Sequence, residues 1–303
     1  MKRGEVELVY STGGVFSAHL AGHWTKRLTG CRWIAEVHDP LVVPGGAPRN
    51  RHEQLLARIE AHLCEHADHA WWFTEGALAA ARQRHPVLGA RGFAVLPGAE
   101  PPQVHADYQR GEHFVFAHFG SLAGTRSLAP TLQALAALLA RRPEWRPLVR
   151  LEVYGSELDT DAAQALEALA LRDVVRPIGR LEHDPASGLS GRARVMQRMQ
   201  QVDLLLMLHG TVPECLEYIP SKLYDYFFAR RPVLALTWRN PQLDALVREH
   251  GGWVAPADDA AAVQAALEAA IERWLGPGLP DVAVPPVTVQ GAVQRIVEAV
   301  DRG

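Results

Sequence analysis

Cysteine is scarce in this chain: Cys31, Cys64 and Cys215 are the three among 303 residues. An odd number so widely spaced offers neither a disulfide framework nor zinc-ligand spacing, and a reducing cytoplasm is the expected setting. No run of eighteen apolar residues occurs, which excludes a spanning helix by length, and no apolar stretch follows the opening Met-Lys-Arg, so no secretory leader is expected. Charge of one sign is lacking too. The 31 basic and 34 acidic side chains leave −3, and nothing in the bulk electrostatics suggests a nucleic-acid partner.

What is present is an ordinary apolar fraction, 48%, on a chain long enough for two domains. Leu8–Ser11 (from Glu7) reads as a strand, followed by Thr12-Gly13-Gly14 and a helix from Ser17 to about Leu28, an α/β unit. Strands Trp33–Val37, Trp71–Thr74 and Phe93–Leu96 continue the pattern, with helices opened by Asn50 and Glu53 and running from Glu75 to Arg84. The first helix after Asn50 should turn Leu55, Leu56, Ile59 and Leu63 inward. His62, His66 and His69 would put the outer two about 10 Å apart along one helix axis, so a solvated face is favoured over a metal site. Trp71 and Trp72 read as core.

Pro97 to Gly111 is the best linker. Beyond it six apolar strands, near Phe114–Phe119, Leu151–Tyr154, Val174–Ile178, Leu204–Leu208, Val233–Leu236 and Trp253–Val254, alternate with helices and loops and argue for a parallel, doubly wound sheet. The expected organisation is 1–100 as a first domain, 101–112 as linker, 113–275 as a second domain, and 276–303 as a Pro-rich segment with a last helix, Val289–Val300, capped by Thr288. Open α/β sheets place their sites at the carboxyl ends of strands. That rule marks His38 and Asp39, Gly120, Gly155-Ser156, Gly179-Arg180 and His209-Gly210. Gly13 and Gly14 serve a close approach to a ligand or a tight turn equally well, and Arg180 fits a surface role as readily as a site.

The stretch Glu217-Tyr-Ile-Pro-Ser-Lys-Leu-Tyr-Asp225, continuing to Ala235, joins a loop, a helix start and a buried strand around two carboxylates and a lysine. Pro220 disfavours helix before it, and Ser221 is expected to cap the helix that follows. Free amides, the dipole and Lys222 would make that helix start an anion seat, with Asp225 and Glu217 placed to accept hydrogen bonds from hydroxyls of whatever carries the anion. An ordinary capped helix start with an acid in its first turn satisfies the same residues without a ligand.

This stretch resembles the donor-site signature of family-4 retaining glycosyltransferases of the GT-B fold, with Asp225 where the second acid is usually Glu. The resemblance implies an α/β chain with two Rossmann-like domains facing a cleft, the first incomplete, and the transfer of a sugar from a UDP- or GDP-sugar with retention. It implies that Glu217 faces the donor sugar, that Asp225 binds the ribose, and that Ser221, Lys222 and Arg126 hold the diphosphate, with Ser121 standing where the family has a second basic residue. Gly120, Arg180 and His209 would line the donor side, Gly13, Gly14 and Asp39 the acceptor side, and His38 would contact sugar or acceptor. No cofactor is required on this reading and no metal is demanded. The last helix is expected to cross back toward the first domain. Because the family's first domain has further strands, Leu8–Tyr10 is expected to be an open edge, covered by a second copy or a partner chain. Peripheral membrane contact stays open. The alternatives are a non-catalytic nucleotide-binding subunit that needs a partner, and a sugar-nucleotide epimerase of the same architecture.

Overall fold

Short apolar strands bounded by polar turns recur along the whole chain, and in the computed structural model, which describes residues 6–13, 15–155, 157–280, 282 and 284–301, they form two parallel sheets. Each sheet organises one unit. The first comprises Met1–Gly98, Pro213–Ile219 and Val287–Gly303, the second Ala99–Val212 and Pro220–Pro286.

In the first unit β1 (Leu8–Thr12), α1 (Ser17–Thr29), β2 (Arg32–Val37), α2 (Arg51–His66), β3 (His69–Trp72), α3 (Glu75–Arg84) and β4 (Gly92–Ala94) give a four-stranded sheet in sequence order. Side chains alternate across it. Trp33, Ala35, Val37, Ala70 and Trp72 join Ile59, Leu63 and Leu78 in a core on one face. On the other, Ile34, Trp71 and Val95 meet Ala292 and Val300 of the last helix, α10 (Val289–Asp301). The Thr288 hydroxyl accepts from Gly291 N–H, 2.9 Å, and caps α10. Asn50 caps α2 by accepting from Glu53 N–H, 2.9 Å, but Leu55, expected inward, is half exposed. β3 sits two residues earlier than the sequence pattern predicts, because Thr74 is recruited as the N-cap of α3, its hydroxyl accepting from Ala77 N–H. His62 and His66 are not a freely solvated face: the His62 ring packs edge-on with His66 and with His23 of α1, and His66 lies tilted against His23, at centroid separations of 4.2–5.1 Å, while His69 lies in β3. No group arranged to hold a metal ion occurs among the described residues.

The second unit runs β5 (Phe114–Gly120), α4 (Ala129–Arg141), β6 (Val149–Gly155), α5 (Thr160–Ala168), β7 (Val175–Gly179), α6 (Gly191–Gln201), β8 (Leu204–Leu208), α7 (Lys222–Phe228), β9 (Val233–Thr237), α8 (Pro241–Glu249), β10 (Trp253–Pro256) and α9 (Ala260–Leu275). The strand order is β10-β9-β8-β5-β6-β7, all parallel, the doubly wound arrangement whose order reverses between β5 and β8. β8 and β9, fully buried, are continuous apolar runs, as strands covered on both faces must be. Leu132, Leu135 and Leu138 of α4, Leu166 of α5 and Val263, Leu267 and Ile271 of α9 pack one face. The segment read as a linker is pinned on this unit: Ala106 N–H donates to Gln200 Oε1, 3.1 Å, and the Arg231 guanidinium lies over the Tyr108 ring.

Candidate functional site

The doubly wound order puts a crevice outside the carboxyl ends of β5 and β8, where successive crossovers leave in opposite directions. These two strands pair only over Phe116–His118 and Leu204–Leu206. Just past the paired stretch the buried Tyr226 hydroxyl of α7 accepts from Phe119 N–H, 3.1 Å, and donates to the Leu206 carbonyl, 3.2 Å. It satisfies the main-chain groups that the ladder drops and fixes α7 against the switch point.

The backbone here is cut close. Gly155, at the end of β6, has φ +113°, and a Cβ on it would stand 2.5 Å from the Gly120 carbonyl oxygen. Gly120, at the end of β5, has φ +125°, and a Cβ there would meet Lys222 Nζ at 2.8 Å. Glycine at 120 is thus what lets the lysine amine lie directly over the strand end.

Lys222 is one of three lysines in a chain with 28 arginines. Its Nζ is buried and has no hydrogen-bond or ion-pair partner among the described residues. Burial pushes its pKa down from 10.5 to about 8, and the Arg126 guanidinium adds to the depression. Arg126, in the turn closed by its N–H donating to the Ala123 carbonyl, reaches only Ser121 Oγ, at 3.4 Å, and no carboxylate pairs with it among the described residues. Below both stands His118, fully buried in β5. Its Nδ1 bonds the Leu206 carbonyl at 3.2 Å, and burial, with Lys222 and Arg126 adding, drives its pKa to about 3. The ring is therefore neutral, with Nδ1 the donor and buried Nε2 a free acceptor. Two cations held without a counter-charge form a seat that an anion would complete.

A cleft of about 550 Å³ opens beside them. Its lining includes Gly120, Gly155, Lys222 and Asp225, with the rings of Phe119 and Tyr154 stacked at 4.7 Å as an apolar wall. Both Asp225 oxygens are taken by Arg192 of α6, at 2.6 and 2.9 Å, a bidentate pair that the sequence reading did not foresee. Arg180 lies at the rim, largely exposed and paired with Glu182 at 3.2 Å. Buried His209, after β8, lines a smaller cavity of about 90 Å³ together with Arg126 and Gly210.

Ser221 is a correction. It has helical φ and ψ of −57° and −30°, is exposed, and makes no side-chain cap, since the Leu223 N–H is taken by the Pro220 carbonyl. The short turn of α7 closes on main chain, so its hydroxyl has no capping work to do.

The signature is divided between the units. Glu217 belongs with the first, where its carbonyl accepts from the Thr74 hydroxyl at 2.6 Å. Its Oε2 is buried with no partner among the described residues, and burial raises the carboxyl to about 7, Arg84 pulling it down and Glu60 pushing it up. Glu60 itself is held by Arg84 and His85. His38 Nε2 pairs with Glu36, and its ring stacks on Phe73. Gly13 lies against this strand end, where a Cβ would meet the Glu36 carbonyl oxygen at 3.1 Å and His38 N at 3.2 Å. Asp39 is exposed; Gly14 and Ser156 lie outside the described residues. Gly120, Arg126 and Lys222 thus come together, Asp225 and Arg180 line the same cleft as Gly120 and Lys222, and Gly13 and His38 form a second group in the first unit.

No protein-family model matches the sequence, and no curated protein sequence matches it closely. Solved structures do match its fold. HepE of Anabaena, in complex with UDP, superposes with a TM-score of 0.73 at 16% identity, over 98% of this chain and 79% of that one. The chain has the GT-B fold. Another GT-B match is a UDP-forming alpha,alpha-trehalose-phosphate synthase from Burkholderia xenovorans, with a TM-score of 0.62 at 12% identity over 98% of this chain and 70% of that one. WaaG, a glycosyltransferase involved in lipopolysaccharide biosynthesis, gives 0.58 at 17% identity over 84% and 72%.

Proposed function

We propose that this chain is a glycosyltransferase that moves a sugar from a nucleotide-sugar donor, a UDP- or GDP-sugar, to an acceptor with retention at the anomeric carbon. The observation that carries the proposal is the unpaired Lys222 ammonium over Gly120, with Arg126 as a second cation lacking a carboxylate, at the switch point of a doubly wound sheet. The similar GT-B structures support it, HepE having been solved with UDP and with UDP-glucose.

On this reading the diphosphate takes the place of the missing counter-charge. As the bond between sugar and phosphate breaks, negative charge grows on the leaving oxygen, and Lys222 and Arg126 are already in place to meet it, so that no reorganisation is needed at the moment of reaction. These cations supply the neutralisation that a divalent metal supplies elsewhere. Arg192 holds Asp225 rigid, and each carboxylate oxygen keeps a lone pair for a ribose hydroxyl. Glu217, raised to about 7, exchanges its proton near neutrality and is assigned to the donor sugar. His38, with Gly13, Gly14 and Asp39, is assigned to the sugar and acceptor side.

The test is donor cleavage. The purified chain, given UDP- and GDP-sugars, should release the nucleoside diphosphate slowly even without acceptor, and the first-formed free sugar, followed by NMR, should keep the donor's anomeric configuration. Lys222→Met and Arg126→Ala should each lower that rate by about 10²-fold or more. Inverted product would refute retention; rates unaffected by both substitutions would refute the site.

A further inference from the structure

Thr74 follows β3 at its carboxyl end, is buried, and makes two bonds with one hydroxyl. Its oxygen accepts from Ala77 N–H, 3.1 Å, and caps α3; its proton goes to the Glu217 carbonyl, 2.6 Å away and 143 positions along the chain. A cap needs the oxygen alone. The second bond, near the short end of the O–H···O range, is therefore additional to helix capping. The chain that it holds runs along the first turn of α3: a Cβ on Gly76 would stand 3.9 Å from Glu217 Cα and from the Leu216 carbonyl oxygen. Glu217 N–H donates to the Glu214 carbonyl, 3.2 Å, so both main-chain groups of Glu217 are engaged. Its carboxyl is the opposite case. Oε2 is buried with no partner among the described residues, and Arg84, whose charge reaches it, is gripped by Glu60 at 2.7 and 3.0 Å. An acid kept free for a ligand has to take its direction from the main chain rather than from bonds to its own oxygens.

We propose that Thr74 is a positioning residue for Glu217: its hydroxyl proton fixes the acid's main chain, and with it the direction in which the carboxyl meets the donor sugar. The inference rests on the assignment of Glu217 to that sugar made above. Threonine suits the task because its branched Cβ restricts χ1 and the cap already orients the oxygen, so the proton has one direction left. Without the bond the Glu217 carbonyl loses its donor and the chain at this point is free to shift. A displacement of about 1 Å at a group that acts on the reacting centre can cost about 10²-fold in rate. Lys222 and Arg126, which hold the diphosphate on the same reading, belong to the second unit and are untouched. The effect therefore falls on turnover and not on nucleotide affinity.

Donor cleavage by the full chain tests this, with Thr74→Val, Thr74→Ser, Asn50→Ala and Glu217→Gln. Valine keeps the shape of threonine and makes neither bond; serine makes both. Thr74→Ala serves where the valine packs badly. Asn50→Ala removes the cap of α2 in the same unit and controls for lost capping alone. Thr74→Val should lower kcat by about tenfold or more and leave the Kd for UDP or GDP within about twofold, while Thr74→Ser keeps most of the wild-type rate. Asn50→Ala should lower the melting temperature as Thr74→Val does and leave the rate alone. Rates are read below each variant's melting transition, located by circular dichroism. With Glu217→Gln impaired, a Thr74→Val as active as Asn50→Ala overturns the proposal; so does a Thr74→Ser as slow as Thr74→Val, or an equal loss of nucleotide affinity. A fully active Glu217→Gln, or a wild type that cleaves no donor, overturns the assignment of Glu217 itself, and the role of Thr74 falls with it.

Discussion

Two ionisable side chains work against the stability of the fold, and each is where a donor site would need it. Burial, with the Arg126 charge adding, pushes the Lys222 pKa from 10.5 down to about 8, roughly 3 kcal/mol against the charged form. The unfolded chain holds this proton more tightly, so the cost is fully present below pH 8 and fades as pH rises from about 8 to 10.5. Lys222→Met should therefore raise the melting temperature at pH 7 while abolishing anion binding, a gain of roughly 1–3 kcal/mol in urea unfolding; unchanged or lower stability would show the charge to be compensated. Glu217 has the opposite sign. Its folded pKa of about 7 lies above the ordinary 4.5, so stability is lost as pH rises between those values. Glu217→Gln should flatten that fall, as read by melting temperature from pH 4.5 to 8. Of these features only the residue types were legible in the sequence. Nothing local to Asp225 announces Arg192, which lies 33 positions earlier and meets it only through the packing of α6 beside α7. His118, a histidine inside Phe-Val-Phe-Ala-His-Phe, was the visible anomaly, a polar group in a strand otherwise destined for burial.

At the scale of elements, the strands of both sheets were legible because their apolar runs are short, bounded by Gly, Pro and polar turns, and separated by helical periods. Errors cluster where a residue has two uses. Thr74 fits a β3 strand by composition and an N-cap by position, and the cap wins because α3 would otherwise start on unsatisfied amides. Ser221 errs the other way: Pro220 already supplies the first carbonyl, and the serine has nothing left to satisfy. Tyr226 is the element-scale linchpin, since one hydroxyl serves both β5 and β8 where they part. Tyr226→Phe leaves the buried Phe119 N–H without its acceptor, the Leu206 carbonyl keeping His118 Nδ1–H, and should cost roughly 1–3 kcal/mol in urea unfolding, together with weaker nucleotide binding as α7 loosens. A cost below about 0.5 kcal/mol would mean that the strands re-pair or water substitutes.

For the whole molecule, strand order decided the fold, because six parallel strands reversing between β5 and β8 make one crevice at a known place, and similar structures share both units of the GT-B arrangement. The sequence pattern did not foretell that Pro213–Ile219 would leave the second unit and pack with the first, an exchange set by the Thr74 hydroxyl and by contacts far away in sequence. The signature is thereby divided, Glu217 falling in the first unit and Asp225 in the second. On the proposed function Lys222 and Arg126 hold the donor diphosphate, which titration calorimetry of UDP and GDP against the wild type and Lys222→Met, from about pH 6.5 to 9.5, tests most directly. One nucleotide should bind the wild type, with proton uptake near pH 8 and weakening above it as free Lys222 loses its charge, and should bind Lys222→Met at least tenfold more weakly at pH 7. Equal affinity in both proteins, or binding indifferent to pH across this range, would contradict the account.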